Sequence, residues 1–166
     1  MDVFCTNAII QDEKAGDKVR AAGKDFWQYS FVGYSRPEDI RYTFGFFFGY
    51  YDSRGSLCWA YNWENGWDTM QSGWRYAWQT PFGTIPGNFF EGIREGWDDR
   101  RVIETYKKQF KGNEKAMAEL TALLKDARKG RGQSGKSRVN DFFTGVKDPS
   151  KLEAWRNRLL DRMVAR

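Results

Sequence analysis

Adjacent carboxylates are the residues here whose type and spacing fit chemistry. They occur at Asp12-Glu13, Glu38-Asp39 and Asp98-Asp99. A neighbouring acid pair can divide proton donation and charge stabilisation in glycosidic bond cleavage. A fourth acidic group, Glu91 with Arg94 and Glu95, lies in the stretch FFEGIREGWDDRR, Phe89 to Arg101. The chain has no histidine. Ser-His-Asp, Cys-His and His-ligated metal schemes are therefore excluded. Cys5 and Cys58 fit no metal spacing and make no disulfide framework. Both are expected to sit reduced in strands as small apolar residues. No metal ligand set and no cofactor motif is found. KGRGQSGKSR resembles a phosphate loop only superficially, because Gly130 and Gly135 before Lys136-Ser137 follow a helix and no strand.

The acids need elements to hold them. A chain of 166 residues suffices for one domain with a core. Aromatic residues make up 17% of it, with 8 tryptophans, too much ring surface for a disordered chain. Val3 to Ile10 is an apolar, β-branched run and predicts a buried strand. Asp12 is placed to cap a short helix, 13–22, that Gly23 ends. DFWQYSFV, 25–32, predicts a second strand. Ser35 and Glu38 have capping-box spacing and open a helix through DIRYTFGFFFGYY. Gly45 and Gly49 lie one turn apart on it. Each costs up to ~1 kcal/mol against alanine, so close backbone packing is expected there. SLCWAYNW, 56–63, predicts a third strand and 64–87 a long loop. Asn88 is expected to cap a helix to about Phe110, with Ile93, Trp97, Ile103, Tyr106 and Phe110 buried. Asn113 opens the next helix. Ser150 and Glu153 form a second capping box before a helix striped with Leu152, Trp155, Leu159 and Met163.

Strand, helix, strand, helix, strand, helix predicts parallel pairing with crossovers. Three such strands leave bare edges on both sides. The expected fold is α/β: about the last three β/α units of a (β/α)8 barrel, which needs roughly 250 residues, with additional C-terminal helices. The opening directly on a strand fits a piece of something longer. The expected organisation is 1–111 as the β/α units, 112–128 as a helical extension, 129–147 as a basic Gly/Ser-rich linker, and 148–166 as an amphipathic helix.

EGIREGWDDRRVIETY following TPFGTIPGNFF resembles the closing segment of β-N-acetylgalactosaminidase-like barrel glycoside hydrolases. RYTFGFFFGYYDSRGSLCWAYNW is similar to that family's seventh helix and eighth strand, AAGKDFWQYSFV to its seventh strand, and DVFCTNAI to its sixth. The resemblance covers about residues 2 to 110, in order. It implies a retaining mechanism assisted by the substrate's 2-acetamido group, served by an Asp-Glu pair on an earlier strand. None of the acid pairs here corresponds to that pair, so no catalytic residue is assigned. Phe89 and Phe90 also stand where the family often has an arginine before the motif's glutamate.

Read this way, the chain is expected to be the C-terminal segment of a glycoside hydrolase-like protein, inactive alone. Its enzymatic status hangs on an upstream region carrying the acidic pair. The alternative is a non-catalytic carbohydrate-binding or structural protein derived from such a barrel. Sugar C–H faces stack on aromatic rings, and ligands sit at strand C-termini in parallel barrels. The candidate substrate-binding residues are thus Asn7, Tyr29, Tyr61, Trp63, Trp67 and Trp78, with Glu91 and Arg94 beside them. Helical spacing alone explains Glu91, Arg94, Glu95, Asp98 and Arg101 as exposed ion pairs. Expected partners are carbohydrate, together with a second copy or a chain carrying the missing barrel half. The net charge of +5 gathers in KDARKGRGQSGKSR, apart from the aromatics. That separation argues for a solvated linker and against nucleic acid. No run reaches membrane-spanning length.

Overall fold

The structure is a computed structural model and describes residues 2–7, 15–30, 36–58, 77–133 and 144–165. It is a mixed α/β fold with a three-stranded parallel sheet in the order β1-β2-β3. Strands β1 (Val3–Asn7), β2 (Asp25–Ser30) and β3 (Gly55–Cys58) follow each other in space as in sequence. Both pairings are parallel, as the strand-helix alternation predicts. Helix α1 (Ala15–Ala21) connects the first two strands. The second connection is α2 (Pro37–Tyr42), a π-helical turn at Thr43–Phe47, and α3 (Phe48–Tyr50).

Side chains alternate across the sheet, and the two faces differ. Phe26 and Gln28 are buried on one face. Phe26 joins one buried cluster with Phe44, Phe48 and Tyr51 from the second connection. Gly16 of α1 also approaches this face, since a Cβ there would lie 3.2 Å from Phe26 Cδ1. The other face carries Val3, Cys5, Trp27, Tyr29 and Leu57. Of these Val3, Cys5 and Leu57 are exposed, and Trp27 and Tyr29 are half-buried. The expected buried β1 is thus corrected. It is an edge strand, and among the described residues nothing covers its far face. Cys5 is likewise an exposed free thiol and not an interior one. Trp27, whose ring lies across Gly55, is only partly enclosed.

Helices α4 (Asn88–Gln109), α5 (Glu114–Lys129) and α6 (Lys151–Val164) enclose the aromatic second connection. Tyr42, Phe46, Phe47, Ile103, Leu120, Leu123, Leu152 and Leu159 are buried among them. Each such side chain stabilises the fold by about 1.5–3 kcal/mol relative to exposure. Trp155 meets Phe46 edge-on with centroids 5.3 Å apart. Its indole N–H donates to Asp126 Oδ2 at 3.0 Å. The Leu152, Trp155 and Leu159 stripe of α6 is buried as its spacing predicts.

The closest packing runs along glycines. A Cβ on Gly45 would stand 3.1 Å from the Gly96 carbonyl oxygen, and one on Gly92 would stand 2.6 Å from the Pro37 carbonyl oxygen. The expected close backbone approach is therefore present at Gly45, whose partner is Gly96 of α4, whereas a Cβ on Gly49 would meet side chains, Ile103 Cδ1 at 2.8 Å and Arg100 Nη1 at 3.3 Å. This path also corrects the expected face of α4. Gly92, Gly96, Asp99 and Ile103 face inward, which turns Trp97 outward.

Helix starts differ from the expected caps. Pro37 takes the first helical position, which its fixed φ suits. Arg36 is therefore the N-cap, and Asp39 closes the box by accepting from the Arg36 N–H at 3.3 Å. Strand pairing of β5 extends to Pro86, leaving Gly87 as the cap of α4 where Asn88 was expected. Ser150 is turned back to Asp148 at the surface, its hydroxyl donating to Oδ1 at 2.6 Å, so its side chain does not cap α6. Asn113 does cap α5, accepting from the Ala116 N–H at 3.1 Å.

Two stretches expected as irregular contain hairpins. β4 (Ala77–Thr80) pairs antiparallel with β5 (Gly83–Pro86), within the expected loop 64–87. β6 (Arg131–Gln133) pairs antiparallel with β7 (Thr144–Val146), within the expected linker 129–147. Val146 is buried, and its N–H donates to Asp39 Oδ1 at 3.0 Å. Both ends of that basic stretch are therefore pinned to the core. Among the described residues no helix is long and apolar enough to cross a membrane.

Candidate functional site

Parallel strands end together, so their last residues gather at one end of the sheet. Asn7 and Tyr29 share a rung there, paired with Leu57 of β3. Tyr29 is half-buried, on the face that no helix covers among the described residues. The structure thus brings together two of the sequence-predicted residues.

The other candidates are distributed differently. Tyr61, Trp63 and Trp67 lie outside the described residues. Trp78 stands on β4 opposite Ile85, in the hairpin reached after β3. Glu91 and Arg94 occupy the first turns of α4, and their bonds stay on that helix. Arg94 donates to Glu91 Oε2 at 2.7 Å, Glu95 Oε1 at 2.6 Å and Asp98 Oδ2 at 3.4 Å. The hydrogen bond to Glu91 is the main reason the Arg94 guanidinium is held above its ordinary pKa. This is the exposed ion lattice that the spacing predicts.

The acid pairs have structural tasks. Asp39 is buried, bonded to Arg36 and the Val146 N–H. Asp99 is buried and held by both arms of Arg41, Nε at 2.7 Å and Nη2 at 3.0 Å. Burial pushes the Asp99 carboxyl up, against the pull of Arg41. Burial also opposes the Arg41 charge, but the hydrogen bonds Arg41 donates to Asp99 and Glu153 outweigh it and raise the Arg41 pKa. Asp12-Glu13 lies outside the described residues. Among the described residues no group of three or more His, Cys, Asp or Glu is gathered to hold a metal.

Sequence reasoning missed a second concavity. A cleft of about 520 Å³ opens between α4 and the turn before β3, lined by Asp52, Ser53, Arg54, Trp97, Arg100, Arg101, Glu104 and Lys107. It lies at the strand N-terminal end, opposite the Asn7–Tyr29 rung. Asp52 has left-handed backbone, φ 50°, and accepts from Lys107 Nζ at 2.8 Å. Burial pushes its carboxyl up, but Lys107 and Arg100 overcome this and hold it below the ordinary range. Arg100 is buried and donates to the carbonyls of Phe48 at 3.1 Å and Ser53 at 3.0 Å. The available signal was the spacing of Trp97, Arg100, Arg101, Glu104 and Lys107 along one side of a helix.

Compared with protein-family models and with curated proteins, the chain matches none.

Proposed function

We propose that this chain is an arc of a (β/α)8 barrel of the glycoside hydrolase type, supplying part of a sugar-site wall and the closing helices. The observation that carries this reading is the sheet itself. Its three parallel strands step in one direction, in chain order. The connections pack on the Phe26 face, leaving Phe4 of the edge strand exposed, and among the described residues nothing covers Val3, Cys5 and Leu57 on the opposite face. A doubly wound sheet reverses its strand order and is covered on both faces. A barrel keeps stepping one way, keeps helices outside, and fills its inside with side chains from further strands. Val3, Cys5, Trp27, Tyr29 and Leu57 are then inward-facing barrel residues, and the outer edges of β1 and β3, which have no strand beside them among the described residues, take further barrel strands.

In this reading the Asn7–Tyr29 rung lies at the ligand end of the sheet. The phenol face of Tyr29 stacks on a sugar ring, and Asn7 bonds its hydroxyls or acetamido group. In this reading the general acid comes from further barrel strands, in an upstream region or in another chain. Titrating the full chain calorimetrically with N-acetylhexosaminide disaccharides, while following their hydrolysis, tests this. Weak binding that Tyr29→Ala lowers, without turnover, is expected. Turnover by the chain alone, or binding indifferent to Tyr29→Ala, contradicts it.

A further inference from the structure

The cleft at the strand N-terminal end has a charge imbalance that its own ion pairs do not resolve. Its lining includes the cations Arg54, Arg100, Arg101 and Lys107 and the acids Asp52 and Glu104. Both acids are already engaged. Lys107 Nζ stands 2.8 Å from Asp52 and 3.0 Å from Glu104, and Arg100 Nη2 stands 3.2 Å from Glu104. The remaining two cations keep spare donors toward solvent. Arg54 has only a 3.9 Å approach to Asp25, and its side chain is 70% exposed. Arg101 uses one nitrogen on Asp98 at 3.1 Å and is 80% exposed. Asp98 is itself shared with Arg94. Trp97, one turn before Arg101 on α4, lines the same cleft and is 38% exposed although it is among the largest apolar side chains of that helix.

A guanidinium fork matches the paired oxygens of an oxyanion, and an indole face matches the C–H face of a pyranose ring. The volume is that of a small-ligand site. We propose that this cleft binds a hexose unit carrying an oxyanion, with its ring on Trp97 and its carboxylate or sulfate on Arg54 and Arg101. Asp52, Arg100, Glu104 and Lys107 form the rigid floor. This site stands apart from the Asn7–Tyr29 rung, at the other end of the sheet, and does not rest on the barrel reading.

The test is isothermal titration of the full chain at low ionic strength with glucuronate, glucose 6-sulfate, glucose and inorganic sulfate. Glucuronate and glucose 6-sulfate separate the two oxyanion sources. The expected result is saturable binding of at least one charged sugar, with glucose and sulfate at least tenfold weaker. Arg54→Ala with Arg101→Ala, and Trp97→Ala separately, weaken the charged sugar at least tenfold. Both arginines are exposed, so their loss leaves the circular dichroism spectrum unchanged. Trp97→Phe keeps most of the affinity, and Tyr29→Ala leaves it untouched. Absence of binding by either charged sugar overturns the proposal. So does binding that survives loss of both arginines, or sulfate binding as tight as that of the sugars with no response to Trp97→Ala.

Discussion

Arg41 and Asp99 form a two-pronged ion pair, Nε to Oδ2 at 2.7 Å and Nη2 to Oδ1 at 3.0 Å, across the crossing of α2 and α4. Asp99 has no exposed side-chain surface, and the pair is extended by Glu153 and Arg156 of α6. The acid pair that sequence alone presents as possible chemistry is thus a clasp joining three helices. The glycines beside it have the complementary task of letting the helices meet.

Removing Asp99 leaves a guanidinium in a largely enclosed site. Asp99→Ala is expected to destabilise the fold by about 3 kcal/mol, near the lower end for a broken buried pair because Glu153 remains. Urea denaturation of the wild type and variant measures this. A change under about 1 kcal/mol would mean that the clasp carries no stability.

Alanine normally improves a helix over glycine by up to ~1 kcal/mol. At Gly92 the added Cβ would stand 2.6 Å from the Pro37 carbonyl oxygen, and at Gly96 it would stand 2.8 Å from the Arg41 carbonyl oxygen. These neighbours are backbone and cannot rotate away. Gly92→Ala and Gly96→Ala are each expected to lower stability by about 1–3 kcal/mol, reversing the propensity trend. Thermal unfolding of the two variants checks the sign.

Asp52 and Glu153 have carboxyls held below their ordinary values, Asp52 against its own burial by Lys107 and Arg100, Glu153 chiefly by its hydrogen bond from Arg41. The unfolded chain therefore takes up these protons at a higher pH than the folded one does. Their stabilisation is complete above the ordinary carboxylate values of 3.8 and 4.5 and is lost as pH falls through the lower folded values. Urea midpoints should drop below about pH 4, and the gap between wild type and Asp52→Asn should close there. A gap that persists unchanged to the lowest pH would show that Lys107 does not depend on the Asp52 charge.

Much of this architecture was legible in the residues, for identifiable reasons. Apolar runs set the three parallel strands, and the Leu152, Trp155, Leu159 spacing set the buried stripe of α6. Gly45 announced a close crossing, although nothing local named Gly96 as its other side or Ile103 as the neighbour of Gly49. Caps were read less well because they depend on neighbours. Pro37 moved one cap by a residue, strand pairing at Pro86 moved another, and Asp148 captured Ser150. The hairpins were hidden because β4 and β5 have few alternating residues, and because β6 and β7 pair across a basic stretch. Trp97 was misassigned for a geometric reason: small residues, and not large ones, define the inner face of α4. Of the candidate site, the Asn7–Tyr29 rung followed from strand order, while the arginine cleft required the turn before β3 to meet α4 in space.

The central claim is that the helical connections cover one face of the sheet at Phe26 and Gln28, while among the described residues nothing covers the other face at Val3 and Leu57. Urea denaturation of Leu57→Lys beside Phe26→Ala tests it most directly. Leu57 is 48% exposed on the open face, and Phe26 is 2% exposed on the covered one. Leu57→Lys is expected to stay within about 0.5 kcal/mol of wild type, and Phe26→Ala to cost about 3–5 kcal/mol. Comparable large losses from both substitutions would show that this chain already covers both faces of its sheet, and the barrel arc would be contradicted.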